Sequence, residues 1–254
     1  MIHDLQKASI LKRFSAYLID FILMIILITG VAWATSEIIG FSNYTAELES
    51  IIDTYEQEFG LNFSITNEEY QNMTDAEKEY FNNSYIEVIK DERYSYLTTM
   101  VFYSLLTIVS ISLLLSHLVL EFIVPLIFKN GQTVGKKIFS IAVMRTDSVR
   151  VSPVIMFMRA IIGKYTLETM IPAIIVIMIL FGVATYVTIA VLLLIFLFQI
   201  ILLIATKTNS CINDILSSTV VVDLQSQMIF DSVEAKQEYL RRIHEEEAKN
   251  AKYF

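Results

Sequence analysis

A 23-residue stretch, Leu11 to Trp33, reads LKRFSAYLIDFILMIILITGVAW and constrains the whole chain. It is long enough to cross a bilayer, which takes about 20 mostly apolar residues. Yet it carries Arg13 near its start and Asp20 well inside. A carboxylate at that depth costs roughly 2.5–3.5 kcal/mol on insertion scales, so it is expected to face a bundle interior and to have a partner there. Arg13 and Asp20 are seven residues apart. They share a helix face but sit about 10 Å apart along the axis, too far to pair with each other.

The rest of the chain supports a membrane reading. Of its 254 residues 55% are hydrophobic, with 7 Gly and 3 Pro, and the apolar residues come in blocks. Charge is unevenly spread. Residues 35–96 hold 14 Asp and Glu against Lys78, Lys90 and Arg93, whereas Lys7, Lys12, Arg13, Lys129, Lys136, Lys137, Arg145 and Arg150 flank the apolar blocks. By the positive-inside bias the basic loops are cytoplasmic and the acidic segment is outside. The single Cys211 excludes an intrachain disulfide. The first apolar run is too long for a cleavable signal and lacks a small-residue cleavage site.

Four regions follow. Residues 1–34 are an interfacial lead-in, with His3, Asp4 and Lys7, and span 1. Residues 35–96 are an acidic extracellular insert with helical signals. Leu48, Ile51, Ile52, Tyr55 and Phe59 form an apolar stripe between a Thr45 cap and a Gly60 stop, and Thr66-x-x-Glu69 and Thr74-x-x-Glu77 read as capping boxes. Residues 97–223 form the main membrane region. Span 2 is about Leu97–Ile127, and Lys137–Val143 and Val149–Val151 predict a small cytoplasmic β-hairpin around Thr146-Asp147-Ser148. Val154–Glu168 is mixed in character and suits an interfacial helix. Ile171–Thr206 is uncharged for 36 residues. One helix of that length would be about 54 Å long, so two spans are expected, Tyr165–Leu180 and Val183–Ala205. Residues 224–254 form a charged cytoplasmic tail helix, capped by Asp231 with Glu234. The fold class expected is an all-α membrane protein of about four spans with a helical extracellular insert and a small cytoplasmic β-hairpin. Both termini are cytoplasmic and the site of residence is the cell membrane.

Four blocks in order carry a family resemblance: RFSAYLID in span 1, GQTVGKKIFSIAVM after span 2, Arg159-Ala160 before span 3, and NDILSSTVVV after span 4. Together they resemble the RDD family of small membrane proteins, named for an Arg and an Asp in the first span and an Asp in a later one. The matching positions are Arg13, Asp20 and Asp214. The resemblance implies a membrane fold. It brings two functional precedents: sodium–proton exchange in some members, and an assembly-factor role in a distant branch. The aromatic or Gly-His pair usual before the last Asp is replaced here by Cys211-Ile212-Asn213, so no histidine role carries over.

The candidate polar network comprises Arg13, Asp20, His117, Glu121 and Asp214. Arg13 and Asp214 lie at one depth and are expected to pair. Asp20 either bonds Ser112, Ser116 or Gln199 and locks the bundle, or it binds a cation or proton. His117 and Glu121, four apart, share a face of span 2. With no further His or Cys nearby, they make no metal site. Gly131-Gln132-Thr133-Val134-Gly135-Lys136 is not a phosphate loop: three residues separate its glycines where four are needed, and Lys137 stands where Ser or Thr should. The glycines are expected to turn the chain out of span 2, with Lys136 and Lys137 at anionic headgroups and Arg159 in the next block. No nucleophile–base pair, dinucleotide fingerprint or nucleic-acid patch is present, so neither an enzyme nor a cofactor is expected. The reading is a carrier or exchanger of a monovalent cation or proton, working as a homo-oligomer in the lipid bilayer. The alternative is an accessory protein that holds a membrane partner through the insert or the tail helix.

Overall fold

The computed structural model describes residues 6–182, 184–206 and 208–250. The lead-in residues His3 and Asp4, together with Val183 and Lys207, lie outside the described residues. The chain forms two compact units. One comprises Met1–Ile28 with Leu113–Phe254, and the other is Thr29–Ser112.

Among the described residues, three helical stretches are long and apolar enough to cross a membrane: Ile10–Ile39, Glu92–Phe128 and Pro153–Leu180. The first is helix α1, which runs six residues beyond Trp33 before Gly40 (φ 71°) lets the chain turn. The second joins α5 (Glu92–His117), a wide π-helical segment π1 (Leu118–Ile123) and α6 (Val124–Phe128). The third joins α8 (Pro153–Phe157), a π-helical segment π2 (Met158–Met170) and α9 (Ile171–Leu180). A shorter apolar helix, α10 (Tyr186–Ala205), follows a break at Phe181-Gly182. Its 20 residues rise about 30 Å, the thickness of a hydrocarbon core. The mixed segment 154–168 is therefore no separate interfacial helix. It is the first half of the third long helix. Each π segment sits just ahead of a proline, Pro125 or Pro172. A proline removes a helical donor and crowds the carbonyl four residues back, and a widened turn relieves that crowding.

The first unit is built on a two-stranded antiparallel sheet, β1 (Ile141–Arg145) with β2 (Thr219–Asp223), in the register Val143 opposite Val221. One face carries Ile141, Val143 and Val221, packed with Ala8, Ala16, Val151 and Met156. The other carries Ala142, Met144, Val220 and Val222, packed with Leu224 and Ile229. Both faces are covered, so both strands read as unbroken apolar runs. The strand pairing differs from the hairpin expected from sequence. The turn at Arg145–Ser148 forms, but the segment Val149–Val151 offers β1 just an isolated bridge, Met144 to Arg150, while Val149 bridges Phe230, and β1 takes β2 as its partner. The chain before α1 also joins here, through Lys7 opposite Val222 and Ala8 N–H donating to the Val221 carbonyl at 3.2 Å. The start of α1, the chain after α6 and the chain after α10 thus converge on one sheet. Beyond it, α12 (Val233–Asn250) is capped by Ser232, whose Oγ accepts from Ala235 N–H. Asp231, the cap expected from sequence, instead pairs with Arg150.

The second unit holds α2 (Phe41–Phe59), α3 (Asn67–Asn72) and α4 (Asp75–Lys90). Both capping boxes form, on Thr66 and on Thr74, and Gly60 (φ 64°) ends α2. Thr45 is no cap. It lies inside α2 and donates back to the Phe41 carbonyl. Phe59, Phe63, Tyr70, Phe81 and Tyr85 form a chain of ring contacts, and Tyr55 Oη donates to Asp91 at 2.9 Å.

Candidate functional site

All ten site residues read from the sequence fall in the first unit. Asp214, in the short helix α11 (Ile212–Leu216), is 1% exposed and accepts from two guanidinium groups. Arg13 Nη2 donates to Oδ2 at 3.0 Å, and Arg159 Nη1 donates to Oδ1. Arg13 also donates to the carbonyls of Thr208 and Asn209, at 3.1 and 2.6 Å. Arg159 reaches Thr219 Oγ1 at 2.5 Å. Burial pushes the Asp214 carboxyl up, but Arg159 and Arg13 outweigh it and hold the group below the ordinary carboxylate value. This triad ties α1, π2 and α11 to the start of β2. The close approach of π2 to α11 depends on Gly163, where a Cβ would stand 2.5 Å from Asn213 Cβ.

Asp20 finds none of its expected partners. Ser112 donates to the Ile108 carbonyl of its own helix, Ser116 Oγ is buried without a partner among the described residues, and Gln199 bonds elsewhere. The Asp20 carboxylate instead accepts from the Thr133 hydroxyl and, at 2.8 Å, from the Gly135 backbone N–H. Both groups belong to the first turn of α7 (Val134–Ile138), which Thr133 caps. Within the glycine motif, Gly131 (φ 59°) makes the turn and Gln132 donates to the Ile141 carbonyl at 2.9 Å. A Cβ on Gly135 would lie 2.1 Å from the Ala16 carbonyl oxygen, so α7 sits directly on α1. Lys137 lies over the Phe128 ring, 3.8 Å from its centroid. Lys136 is not at a surface: it is 9% exposed and faces inward.

His117 and Glu121 do not bond each other, and both reach π2. Lys164 Nζ donates to Glu121. His117 Nδ1 faces the Leu113 carbonyl at 2.8 Å, so that nitrogen carries the proton, and Nε2 meets Thr169 Oγ1 at 3.1 Å. One turn on from Lys164, Glu168 accepts from Gln199 Nε2 at 3.2 Å and Asn213 Nδ2 at 3.3 Å. The Oδ1 of that same Asn213 is buried with no hydrogen-bond partner among the described residues. Lys164, Glu168, Gln199 and Asn213 border a cavity of about 640 Å³ whose lining also includes Arg13, Asp20 and Lys136. Its remaining wall is mostly apolar, from α1, α9 and α10. Among the described residues, no three His, Cys, Asp or Glu side chains cluster in a way that could hold a metal ion.

The sequence model of the RDD family matches residues 7–218. The chain belongs to the RDD family. No curated protein and no solved structure matches it. As an RDD protein with apolar helices of spanning length, it is a membrane protein. The RDD match covers Arg13, Asp20 and Asp214 and ends one residue before β2, so Thr219, the other partner of Arg159, lies just beyond it. Three polar participants escaped the sequence reading as site residues: Lys164, Glu168 and Asn213. The signal for the first two was present, since Lys164 and Glu168 are spaced four apart ahead of an uncharged stretch. Lys164 read as interfacial because the span was expected to begin only at Tyr165, and Glu168 because it closes the mixed segment Val154–Glu168 that was expected to lie at the interface.

Proposed function

We propose that this RDD protein moves a monovalent cation or a proton across the cell membrane, and that Glu168 is the carboxylate that takes it. What supports the reading is how differently Asp214, Glu121, Asp20 and Glu168 are held. Asp214 is clamped by two guanidinium groups and Glu121 by an ammonium, and Asp20 accepts from a hydroxyl and a backbone N–H at a crowded helix contact. Among the described residues, Glu168 lines the cavity and accepts side-chain hydrogen bonds from two neutral amides, while Lys164 and Arg159 act on it through charge without bonding it. Neutral amides tolerate both the charged and the protonated or cation-bound carboxyl, whereas a fixed cation favours the charged form alone. The partnerless Asn213 Oδ1 beside it is a further oxygen ligand for a cation.

The expected topology has four crossings, with both described chain ends on the cytoplasmic side. Its support is the sheet: Lys7 pairs opposite Val222, so the chain returns after α10 to the end from which α1 departs. Basic Lys12 and Arg13 at that end fit the cytoplasmic face. The test is flux in proteoliposomes under an imposed sodium or pH gradient. Glu168→Gln abolishes gradient-driven uptake while the protein elutes as a monodisperse peak. Wild-type uptake no faster than in empty vesicles, or Glu168→Gln flux equal to wild type, overturns the assignment.

A further inference from the structure

We propose that the same cavity binds a single-chain anionic amphiphile drawn sideways from the bilayer, with its head on Lys136 and its chain along Phe14, Tyr17, Ile195 and Phe196. The first observation is a buried cation with donors to spare. Lys136 is 9% exposed and lines the cavity. It forms no ion pair among the described residues. The one hydrogen bond its ammonium makes among the described residues, to Thr133 Oγ1, is long at 3.4 Å, which leaves two of three N–H donors open to a ligand. The nearby carboxylates are engaged, Asp20 by Thr133 and Gly135 and Glu121 by Lys164. A buried ammonium without a counter-ion is costly, and an anion that reaches it removes that cost.

The second observation is where the cavity opens. Phe14, Tyr17 and Phe196 line it and are also 61%, 59% and 65% exposed, on helices whose outward faces are apolar. Its mouth therefore faces hydrocarbon. A free anion would approach through lipid, but an amphiphile already resides there with its chain in place. About 640 Å³ falls within the usual range of roughly 300–1,000 Å³ for a small-ligand site. At neutral pH Lys136 is available as a cation. Burial pushes its ammonium down, Lys164 and Arg159 add to this, and Glu121 and Asp20 oppose it, leaving it at about 8.

Native mass spectrometry of the full chain in a nonionic detergent tests this, with oleoyl-lysophosphatidylglycerol, oleate and oleoyl-lysophosphatidylcholine as probes. The expected result is one retained anionic lipid per chain, held at least tenfold more than the zwitterionic lipid of the same chain length. Lys136→Met removes the preference, Lys136→Arg keeps it, and Ile195→Trp, which fills the cavity, removes retention of all three. Three results overturn the proposal: equal retention of anionic and zwitterionic probes by wild type, a full preference in folded Lys136→Met, or displacement of the lipid by millimolar inorganic phosphate alone. None of these readouts requires flux, so the outcome is independent of whether Glu168 carries a cation.

Discussion

The backbone N–H of Gly135 donates to Asp20 Oδ1 at 2.8 Å, and the α-carbon of Gly135 sits where a Cβ would stand 2.1 Å from the Ala16 carbonyl oxygen. The two facts share a cause. Helix α7 presses its first turn against α1, and the intramembrane carboxylate satisfies that turn's donors. Gly135→Ala is therefore expected to separate the two elements, because the obstacle is backbone and cannot rotate away. It should lower the yield of folded protein more than Asp20→Asn, which keeps the side chain's shape and forfeits about 1–3 kcal/mol. Thermal unfolding followed by size-exclusion chromatography checks the order. A Gly135→Ala protein as stable as wild type would show that α7 does not sit where described.

Arg13, Arg159 and Asp214 make a triad in which two cations share one buried carboxylate. Removing the shared partner strands both guanidinium groups, so Asp214→Asn should cost about 3–5 kcal/mol, the range for breaking a buried pair. Arg13→Met should cost less, since Arg159 still neutralises the carboxylate. Exchanging the charges of residues 13 and 214 should not rescue stability, because an arginine at 214 would then face Arg159. Melting temperatures of the two single variants and the exchange variant decide this. Full rescue by the exchange would exclude Arg159 from the cluster.

Acid should unfold the first unit through the same residue. The folded state holds the Asp214 carboxyl below its ordinary value, so the unfolded chain takes up the proton first as pH falls. The stabilisation is present above about pH 4 and is lost progressively below it. Lys136 is shifted in the same direction with the opposite consequence for stability. Its ammonium is pushed down to about 8 against an ordinary 10.5, so the folded state loses that proton first. Its destabilising effect is full below pH 8 and fades as pH rises towards 10.5, a swing on the order of 3 kcal/mol. Lys136→Met should be more stable than wild type at pH 7, and the gap should close at pH 10. Paired melting curves at the two pH values measure it.

The sequence made the apolar helices and the capping boxes legible, because each rests on spacing that one chain segment displays by itself, and it made the Arg13–Asp214 contact legible through the depth the two residues share. The partners of Asp20 were not legible. One is a backbone N–H, a group every residue carries, and the other a threonine in a loop that reads as surface. Lys164 and Glu168 were misplaced for a different reason. They ride a π-helical segment, where Thr166 and Thr169 bond carbonyls five residues back, and templates of period 3.6 do not register that turn. The strand pairing failed because the nearby turn signal at Thr146-Asp147-Ser148 outweighed a distant partner. The feature that distinguishes β1 and β2 is that both are unbroken apolar runs, which marks strands covered on two faces.

The acidic insert offers the sharpest separation of a carrier from an accessory protein. Helices α2 to α4 belong wholly to the second unit, while the polar cluster and the cavity lie in the first. The two capping boxes, the ring contacts among Phe63, Phe81 and Tyr85, and the Tyr55–Asp91 bond are all internal to the insert. Replacing residues 41–90 with a short Gly/Ser linker therefore removes no group that holds Asp214, Glu121 or Glu168. Uptake per folded chain should stay within about twofold of wild type, roughly 0.4 kcal/mol on the barrier. Loss of flux from a variant that still melts cooperatively would make the insert part of the transport cycle. Intact flux together with loss of a co-purifying membrane partner would assign the insert to partner binding and leave the cavity as the site of transport.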